Sequence, residues 1–409
     1  MTRRRVVITG VGIASPIGNS MASVTDALRH GAHGIRVMPE WDAYGHLATR
    51  LGAPASDEAL RAVPARKSRT MGRVSLLALH ATLEAIERAG LTQEELQSQR
   101  CGIAYGSTHG SSAETEAFCR RLFGTQSFAG IPASTYLRFM SHTCASNLAV
   151  HLGTRGRILT TCSACVSGSQ AIGLAYETIR HGLQDVMIAG GAEELHVCHA
   201  GVFDIMFATS RHYNDQPDAA PRPFDADRDG LVVGEGAGTV VLEDLDRARA
   251  RGASILAEVL GFGTNSGCEG VTTPSVDATE AAIRLALEDA GLPPEAIDYV
   301  NAHGTATESG DIAESQATAR VFGSTVPVSS TKGHVGHTLG ASGSIETIFC
   351  LAMMQHRFVA PTRTLVRVDP RCGELDYVIG EPRRAELTHV MNNNFAFGGI
   401  HTSLVFGAV

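Results

Sequence analysis

The chain has 409 residues, 44% of them hydrophobic, and can bury a large core in one domain or in two to three ordinary ones. Its formal charge of −8, with no basic block beyond Arg3, Arg4 and Arg5, argues against a nucleic-acid ligand. No run approaches the roughly 18 apolar residues of a membrane span, and nine cysteines favour reduced thiols over a disulfide framework, so a soluble, cytoplasmic protein is expected.

Short apolar runs alternate with longer stretches of helical periodicity, which is the pattern of an α/β protein. Several of the runs lack polar alternation, as strands buried on both faces do. The first run follows three arginines, as in a signal peptide, but it is too short for one and predicts a buried first strand. The predicted strands are 6–9, 101–105, 185–189, 238–242 and 296–300.

The sequence also contains an internal repeat with a long period. In each half, a run ending in Gly-x-Gly is followed by a helix that closes on Gly-Leu, an acidic stretch, a strand and a Ser-Gly-Ser helix start. Matches in the same order predict two similar α/β halves, 1–250 and 251–409, packed as one unit because no linker separates them. The matching segments are 8–12 with 259–263, 81–89 with 281–290, and 167–169 with 342–344.

The stretch 161–168, TCSACVSG, places Cys165 between a predicted strand at 157–160 and a helix at 169–180. At a helix N-terminus, unpaired N–H groups and the macrodipole lower a thiol pKa from about 8.5, which makes a nucleophile. A buried small hydrophobe is the competing interpretation. The spacing from Cys162 also permits thiol–disulfide exchange or a metal site. Further metal ligands nearby in the sequence are His196, Cys198 and His199.

Two further segments place histidines between a strand and a glycine-rich turn. The first is 301–311, NAHGTATESGD, with His303, and the second is 329–337, SSTKGHVGH, with His337. Strand ends in an α/β sheet face the ligand crevice, so the internal repeat predicts both histidines at corresponding edges of one sheet. A lone histidine at such a place is more often structural. A metal site at His334 and His337 is disfavoured because the glycines oppose a regular helix.

A cysteine with two histidines and Lys332 indicates a definite reaction class. Cys165 can take up an acyl group, and two imidazoles can donate hydrogen bonds to the enolate oxygen left when a malonyl thioester loses carbon dioxide. This chemistry requires no metal or organic cofactor. The stretch 392–399, NNNFAFGG, indicates a tight turn before a strand at 402–406, and such a loop can also lend N–H groups and a movable phenyl ring to a site.

Taken together, these segments closely resemble the elongating β-ketoacyl-acyl-carrier-protein synthases. The resemblance covers nearly the whole chain and implies an α/β, thiolase-like fold with two related halves in a five-layered αβαβα arrangement, usually dimeric. The segments that carry it are 5–12, SACVSG at 163–168, RPFD at 222–225, RDG at 228–230, GEG at 234–236, NAHGTAT at 301–307, STKGHVGH at 330–337 and NFAFGG at 394–399.

The resemblance implies a role for each residue of the site. Cys165 becomes the acyl-accepting nucleophile, His303 and His337 the decarboxylating and enolate-stabilising pair, and Lys332 their electrostatic support. The oxyanion hole comes from the backbone N–H groups of Cys165 and Phe397, and Phe397 also gates the acyl pocket. Supporting residues are Glu346, Asp311, Glu314 and Phe395. Contacts with phosphopantetheine are implied for Thr272, Thr273, Thr305 and Thr307, and acyl-pocket positions for His109 and Phe203.

Segments 139–145 and 392–397 resemble the catalytic subunits of type II polyketide systems that build aryl polyene or other polyene chains. Such subunits pair with a chain-length-factor relative that lacks the cysteine, so a chain with Cys165 is expected to be the active half of a heterodimer, or else a homodimer. Acyl carrier protein, which delivers substrates on its 4′-phosphopantetheine arm, is the expected partner. Candidates for a basic carrier-protein patch are Arg66, Lys67, Arg69 and Arg73.

Two departures from the fatty-acid enzymes accompany this resemblance. Ile400 and His401 replace Thr-Asn behind the gate, and His109 replaces an apolar residue at the end of the acyl pocket. A polar floor would suit an unsaturated or aryl-ended chain, whereas a solvated interface histidine is the alternative. The alternative functions are housekeeping fatty-acid elongation, a thiolase, and a non-catalytic chain-length-determining subunit; the presence of Cys165 and both histidines argues against the last.

Overall fold

The computed structural model describes residues 3–60 and 68–409, so the basic-patch candidates Arg66 and Lys67 lie outside the described residues. Within these ranges, no helix is both long and apolar enough to cross a membrane. The strands are β1 Val6–Ala14, β2 Arg36–Val37, β3 Leu51–Ala53, β4 Cys101–Gly106, β5 Ile158–Thr161, β6 Val186–Glu193, β7 Val233–Gly234, β8 Gly236–Asp244, β9 Ala257–Ser266, β10 Cys268–Gly270, β11 Thr273–Pro274, β12 Tyr299–Asn301, β13 Pro327–Ser329, β14 Phe358–Val359, β15 Asp376–Tyr377, β16 Arg383–Arg384, β17 His389–Phe395 and β18 Ile400–Gly407. The α-helices are α1 Met21–Arg29, α2 Arg73–Ala89, α3 Gln93–Leu96, α4 Ser112–Thr125, α5 Ser134–Phe139, α6 Thr143–Leu152, α7 Ser167–Arg180, α8 Val197–Ile205, α9 Leu245–Ala250, α10 Val276–Ala290, α11 Glu308–Phe322, α12 Lys332–Val335 and α13 Ser342–His356.

The central sheet repeats one strand order twice. Its eleven strands run β15-β13-β12-β17-β18-β9-β1-β8-β6-β4-β5. In each half, the first strand pairs with the fifth, followed by the fourth, the second and the third, if the five shared strands are counted. The short strand β15 is an addition to the C-terminal half and extends the sheet beyond β13. The fifth strand is antiparallel to both of its neighbours, and the other pairs are parallel. The two halves are joined where β1 pairs with β9 over Val6, Val7 and Ile8.

The helices form three layers around these two sets of strands. Helices α7 and α13 contact each other, and each also packs on strands of the sheet, which places them in the central layer. Helix α2 covers the outer face of the N-terminal strands, and α10 covers that of the C-terminal strands. The order α–β–α–β–α confirms the predicted thiolase-like, five-layered α/β fold.

The repeated glycines of β1 and β9 explain how closely the outer helices α2 and α10 approach these two strands. A Cβ atom at Gly12 would lie 2.0 Å from the carbonyl oxygen of Ala81 in α2, and one at Gly263 would lie 2.2 Å from that of Ala282 in α10. Both distances are far below van der Waals contact. The glycines are therefore required for the outer helices to lie directly on the first strand of each half.

Most predicted strands are present and extend beyond the predicted ranges. All nine residues of β1 and all six of β4 are buried, as predicted for strands covered on both faces. The strand predicted at 296–300 was misplaced, because Pro294–Ala296 forms a 3₁₀ turn and β12 begins only at Tyr299. Pro294 lacks the N–H group that a central strand needs, so the chain enters the sheet after the proline turn.

Replacing Gly12 by Ala should destabilise the protein by about 1–3 kcal/mol, because the new methyl group would overlap the backbone of α2. Gly124→Ala is the matched control, since Gly124 lies in α4, where a Cβ atom would have no other atom within 4 Å, and helix propensity favours Ala by up to about 1 kcal/mol. Urea unfolding measures both variants. Equal stability of the two variants would contradict the close packing of α2 on β1.

Candidate active site

Cys165 lies in a single 3₁₀ turn, Ala164–Val166, between β5 and α7. Ala164 has a φ of +49°, a conformation that alanine rarely adopts. The C-terminal half contains the equivalent turn, Leu339–Ala341, directly before α13, and Leu339 has a φ of +48°. Cys165 therefore occupies one of two related turns, each of which directly precedes a central helix.

His337 comes from the C-terminal half but lies against the cysteine. Its Nε2 atom is 3.0 Å from Cys165 Sγ, and its Nδ1 atom is 2.9 Å from Ser342 Oγ at the start of α13. Both side chains are buried. The cysteine and the imidazole thus form a hydrogen-bonded pair across the boundary between the halves, and Ser342 orients the ring from its other side.

His303 lies beside this pair. It follows β12, while His337 follows the neighbouring parallel strand β13, as predicted from the repeat. The ring centroids of the two histidines are 5.1 Å apart and their planes are nearly perpendicular. Phe395 packs against His303 with a centroid distance of 6.2 Å. The two imidazoles and the cysteine therefore lie side by side.

Lys332 is fully buried behind the histidines. Its Nζ atom donates a hydrogen bond of 2.5 Å to Glu346 Oε1 and lies 3.5 Å from His303 Nδ1. The other carboxylate oxygen of Glu346 accepts a hydrogen bond of 2.6 Å from Asn394 Nδ2. The structure thus brings Lys332 and Glu346 together as predicted, with Asn394 fixing the carboxylate.

The electrostatics of the site favour neutral rings and a neutral thiol. Burial and the Lys332 ammonium together hold the pKa values of His303 and His337 well below their usual range. Burial raises the pKa of the Cys165 thiol to about 12, although the Lys332 ammonium and the backbone N–H groups of Cys165 and Phe397 act in the opposite direction. The predicted lowering of the thiol pKa was therefore wrong, because desolvation outweighs the helix N-terminus.

Two buried carboxylates of α11 shape the turn that carries His303. Glu314 accepts hydrogen bonds from the backbone N–H groups of His303 (2.6 Å) and Gly304 (2.7 Å). Asp311 accepts from the N–H groups of Ala306 and Phe224. Burial raises the pKa of Glu314 to about 8 and that of Asp311 to about 6. Both residues therefore support the site through the backbone and do not point at the reacting sulfur.

A cavity of about 680 Å³ connects Cys165, His303 and His337 with the surface. The rings of Phe203 and Phe397 lie 5.6 Å apart and line it near the cysteine. The backbone N–H groups of Cys165 and Phe397 lie close enough to the Cys165 sulfur to oppose the rise of its pKa. All four threonines with predicted phosphopantetheine contacts line this cavity: Thr272, Thr273, Thr305 and Thr307.

The acyl-pocket position expected for His109 stays a prediction. In the single chain, His109 is exposed and does not line this cavity. Its ring stacks on that of His199 at 4.9 Å, and His199 in turn pairs with Ser112. The chain turns outward at Gly110, which has a φ of +72°. The loop after β4 therefore directs His109 to the flank of α8.

The alternative metal sites do not assemble in the described part of the chain. Cys162 donates a hydrogen bond to Thr108 O, His196 pairs with Glu116, and His334 contacts Ala32 O. Within residues 3–60 and 68–409, the group whose spacing would suit a metal ion is the candidate active site itself. One nitrogen or sulfur atom from each of its three residues lies within 4.8 Å of the other two. The buried ammonium near His303 opposes a cation there. These three residues are Cys165, His303 and His337.

Sequence reasoning missed several residues at the site. Ser342 and Asn394 were seen only as parts of motifs, yet they hold His337 and Glu346. His401, noted as a departure, is buried, lines the cavity and packs edge-on against Phe395. Glu193, at the end of β6, is fully buried, and burial raises its pKa to about 7. A carboxylate directly after a buried strand was the available signal for Glu193.

The chain matches two family descriptions: "Beta-ketoacyl synthase, N-terminal domain" over residues 3–248 and "Beta-ketoacyl synthase, C-terminal domain" over residues 256–365. It belongs to the β-ketoacyl synthase family. It is 38% identical to 3-oxoacyl-[acyl-carrier-protein] synthase 1 of Haemophilus influenzae, over 98% of both chains. Like this relative, this synthase is an acyltransferase of the condensing type.

Solved structures of the family are similar over the whole chain. A β-ketoacyl synthase from Burkholderia phymatum is 49% identical, with a TM-score of 0.96 and coverage of 99% of this chain and 100% of that one. The ishigamide ketosynthase/chain length factor is 32% identical, and a type II polyketide ketosynthase in complex with its acyl-carrier protein is 28% identical. Each has a TM-score of 0.92 and covers 100% of both chains.

In this synthase, Lys332→Met should strongly destabilise the fold, by about 3–5 kcal/mol, because the Glu346 carboxylate would lose its ammonium partner in a buried site. The double variant Lys332→Met with Glu346→Gln should recover most of that loss, since no buried charge remains. Urea unfolding of both variants measures the difference. Equal destabilisation in the single and the double variant would contradict a buried ion pair.

Proposed function

We propose that the synthase joins a Cys165-bound acyl chain to malonyl-acyl-carrier protein by decarboxylative Claisen condensation. The observation that carries the proposal is the buried pair of Cys165 Sγ and His337 Nε2 at 3.0 Å, with His303 beside it in the same cavity. A nucleophile paired with a base is the arrangement that acyl transfer requires. A second imidazole adds a hydrogen-bond donor for an enolate.

In the first step, Cys165 Sγ attacks the carbonyl carbon of an acyl thioester. The neutral His337 ring takes the thiol proton through Nε2, and its own Nδ1–H donates to Ser342 Oγ. The new carbon–sulfur bond forms as the bond to the pantetheine sulfur breaks, and the proton passes to that leaving thiolate. The backbone N–H groups of Cys165 and Phe397 stabilise the oxyanion.

In the second step, malonyl-carrier protein enters the same cavity and loses carbon dioxide. The electron pair of the broken carbon–carbon bond becomes a thioester enolate, to whose oxygen His303 donates a hydrogen bond. His337 donates a second one from Nε2 in its other neutral tautomer, in which Nδ1 accepts a hydrogen bond from the Ser342 hydroxyl. The enolate carbon then attacks the acyl-Cys165 carbonyl, the new carbon–carbon bond forms, and the Cys165 thiolate leaves and takes a proton from solvent. We propose that the reaction uses no cofactor and takes place in the cytoplasm.

We further propose that the acyl chains belong to a type II polyketide pathway of the aryl polyene or polyene kind, with a chain-length-factor relative as partner. Similarity to the ishigamide ketosynthase/chain length factor and to a type II polyketide ketosynthase supports this assignment. Helices α4 and α5 contain no buried residue, and Phe123 and Phe128 of this region are exposed. A second subunit would cover that apolar surface.

Housekeeping fatty-acid elongation is the second candidate function. The 38% identity to 3-oxoacyl-[acyl-carrier-protein] synthase 1 of Haemophilus influenzae favours it. Dependence on a partner distinguishes the two functions, since a homodimer would suffice for elongation.

The condensation predicts a defined mass change at one residue. Incubation with acyl-carrier protein should add the acyl mass to the wild-type chain, and addition of malonyl-carrier protein should remove it as ketoacyl product appears. Cys165→Ala should gain no mass, and Cys162→Ala, which changes the neighbouring exposed thiol, should react like the wild type. Intact-mass spectrometry measures all three. Absence of acylation in the wild type, with or without a partner, would contradict the proposal.

The polyketide assignment predicts dependence on a second subunit. Co-expression with a chain-length-factor relative encoded nearby should yield a heterodimer in native mass spectrometry, and the heterodimer should elongate unsaturated acyl-carrier proteins faster than the chain alone. A homodimer that elongates saturated chains at full rate without a partner would favour the housekeeping function instead.

A further inference from the structure

We infer that Glu193 is a positioning residue of the active site, whose carboxylate holds the turn of Cys165 against the equivalent turn that follows His337. The inference rests on the proposed function, because it assigns Glu193 a part in the reaction of Cys165. It adds a residue for which the resemblance to the condensing enzymes implied no role.

The Glu193 carboxylate accepts hydrogen bonds from both halves of the chain. Its Oε2 atom accepts from the N–H group of Thr108 at 2.8 Å and from that of Gly340 at 3.2 Å. Its Oε1 atom accepts from Ser107 Oγ at 3.3 Å. One oxygen atom thus joins the loop after β4 in the N-terminal half to the turn before α13 in the C-terminal half.

Thr108 extends this connection to the turn of the nucleophile. Its hydroxyl group donates to the carbonyl oxygen of Ala164 at 3.3 Å, and its own carbonyl oxygen accepts from Cys162 Sγ at 3.1 Å. Ala164 directly precedes Cys165 and has a φ of +49°, a conformation that persists only where neighbouring contacts hold it. The hydrogen bond from Thr108 to Ala164 is one of these contacts.

The turn that follows His337 is held by the carboxylate directly. Leu339 has a φ of +48°, and the next residue is Gly340, which donates its N–H group to Glu193. A Cβ atom at Gly340 would lie 2.8 Å from Glu193 Oε2 and 2.8 Å from Thr108 N. Only glycine therefore allows the carboxylate and this turn to approach so closely.

The same hydrogen bonds stabilise the buried charge of Glu193. Burial raises its pKa to about 7, whereas the hydrogen bonds from Thr108 and Gly340 act in the opposite direction. A buried carboxylate is costly without such donors. Burial and, to a smaller extent, the charge of Glu193 raise the pKa of the Cys165 thiol. The carboxylate therefore lies near the nucleophile, although His337 is the group that is hydrogen-bonded to the sulfur.

Substitutions of similar size at Glu193 test the positioning role. Glu193→Leu removes both acceptor oxygens, so the two turns can shift, and kcat for ketoacyl formation should fall about a hundredfold, the effect of a misplacement of about 1 Å. The KM for malonyl-carrier protein should change little, because Glu193 does not line the cavity. Glu193→Gln keeps one oxygen that can accept from Thr108 and Gly340, and it should retain most of the wild-type kcat.

Glu194→Leu is the matched control. Glu194 is also buried, but it accepts from Ser111 Oγ and from the N–H groups of Ala113 and Val74, away from both turns. Urea unfolding should show a loss of stability in this variant as in Glu193→Leu, since both leave buried N–H groups without an acceptor. The kcat of Glu194→Leu should nevertheless equal that of the wild type.

Thr108→Val tests the second link without removing a charge. It deletes only the hydroxyl group that donates to Ala164, so it should fold even if Glu193→Leu does not, and it should lower kcat about fivefold, the value of one hydrogen bond. The inference would be overturned by a wild-type kcat in Thr108→Val, by an equal fall of kcat in Glu194→Leu and Glu193→Leu, or by a loss in Glu193→Gln as large as in Glu193→Leu. A wild-type chain that gains no acyl mass would instead refute the proposed function.

Discussion

The site depends on the close contact between the N-termini of the two central helices. A Cβ atom at Gly343 of α13 would lie 2.5 Å from Ser169 Cβ of α7, and one at Gly168 would lie 2.9 Å from Gly340 O. Larger residues would hold the helices apart. Because the helices touch here, the turn before α7 and the residues before α13 meet, and this contact brings Cys165 within 3.0 Å of His337.

The two halves have the same strand order but contribute different chemistry. The turn before α7 supplies the nucleophile, whereas the equivalent turn before α13 has Gly340 at the position of Cys165 and follows His337. The C-terminal half adds His303 and the buried Lys332. Burial and the ammonium of Lys332 together keep both rings neutral, and neutral rings can accept a proton in one step and donate a hydrogen bond in the next.

Much of this arrangement could be predicted from the sequence, because glycine-rich turns after buried strands specify where Cys165, His303 and His337 lie. The internal repeat also predicted that both histidines share one sheet edge. Contacts between distant segments could not be predicted. Asn394 donates to Glu346 because β17 packs against α13 in the folded chain. The direction of the His109 side chain depends on the turn at Gly110. The prediction of a lowered Cys165 pKa failed for the same reason, because the burial that raises this pKa depends on tertiary structure.

The central claim is that the Cys165 thiol is neutral and desolvated at rest, so the helix N-terminus alone does not activate it. The most direct measurement is the pH dependence of alkylation of the wild-type chain by iodoacetamide, minus that of Cys165→Ala, which removes the contribution of the other cysteines. The account predicts that Cys165 titrates far above the ordinary value of about 8.5, towards a pKa of about 12. A Cys165 pKa below that ordinary value would contradict it.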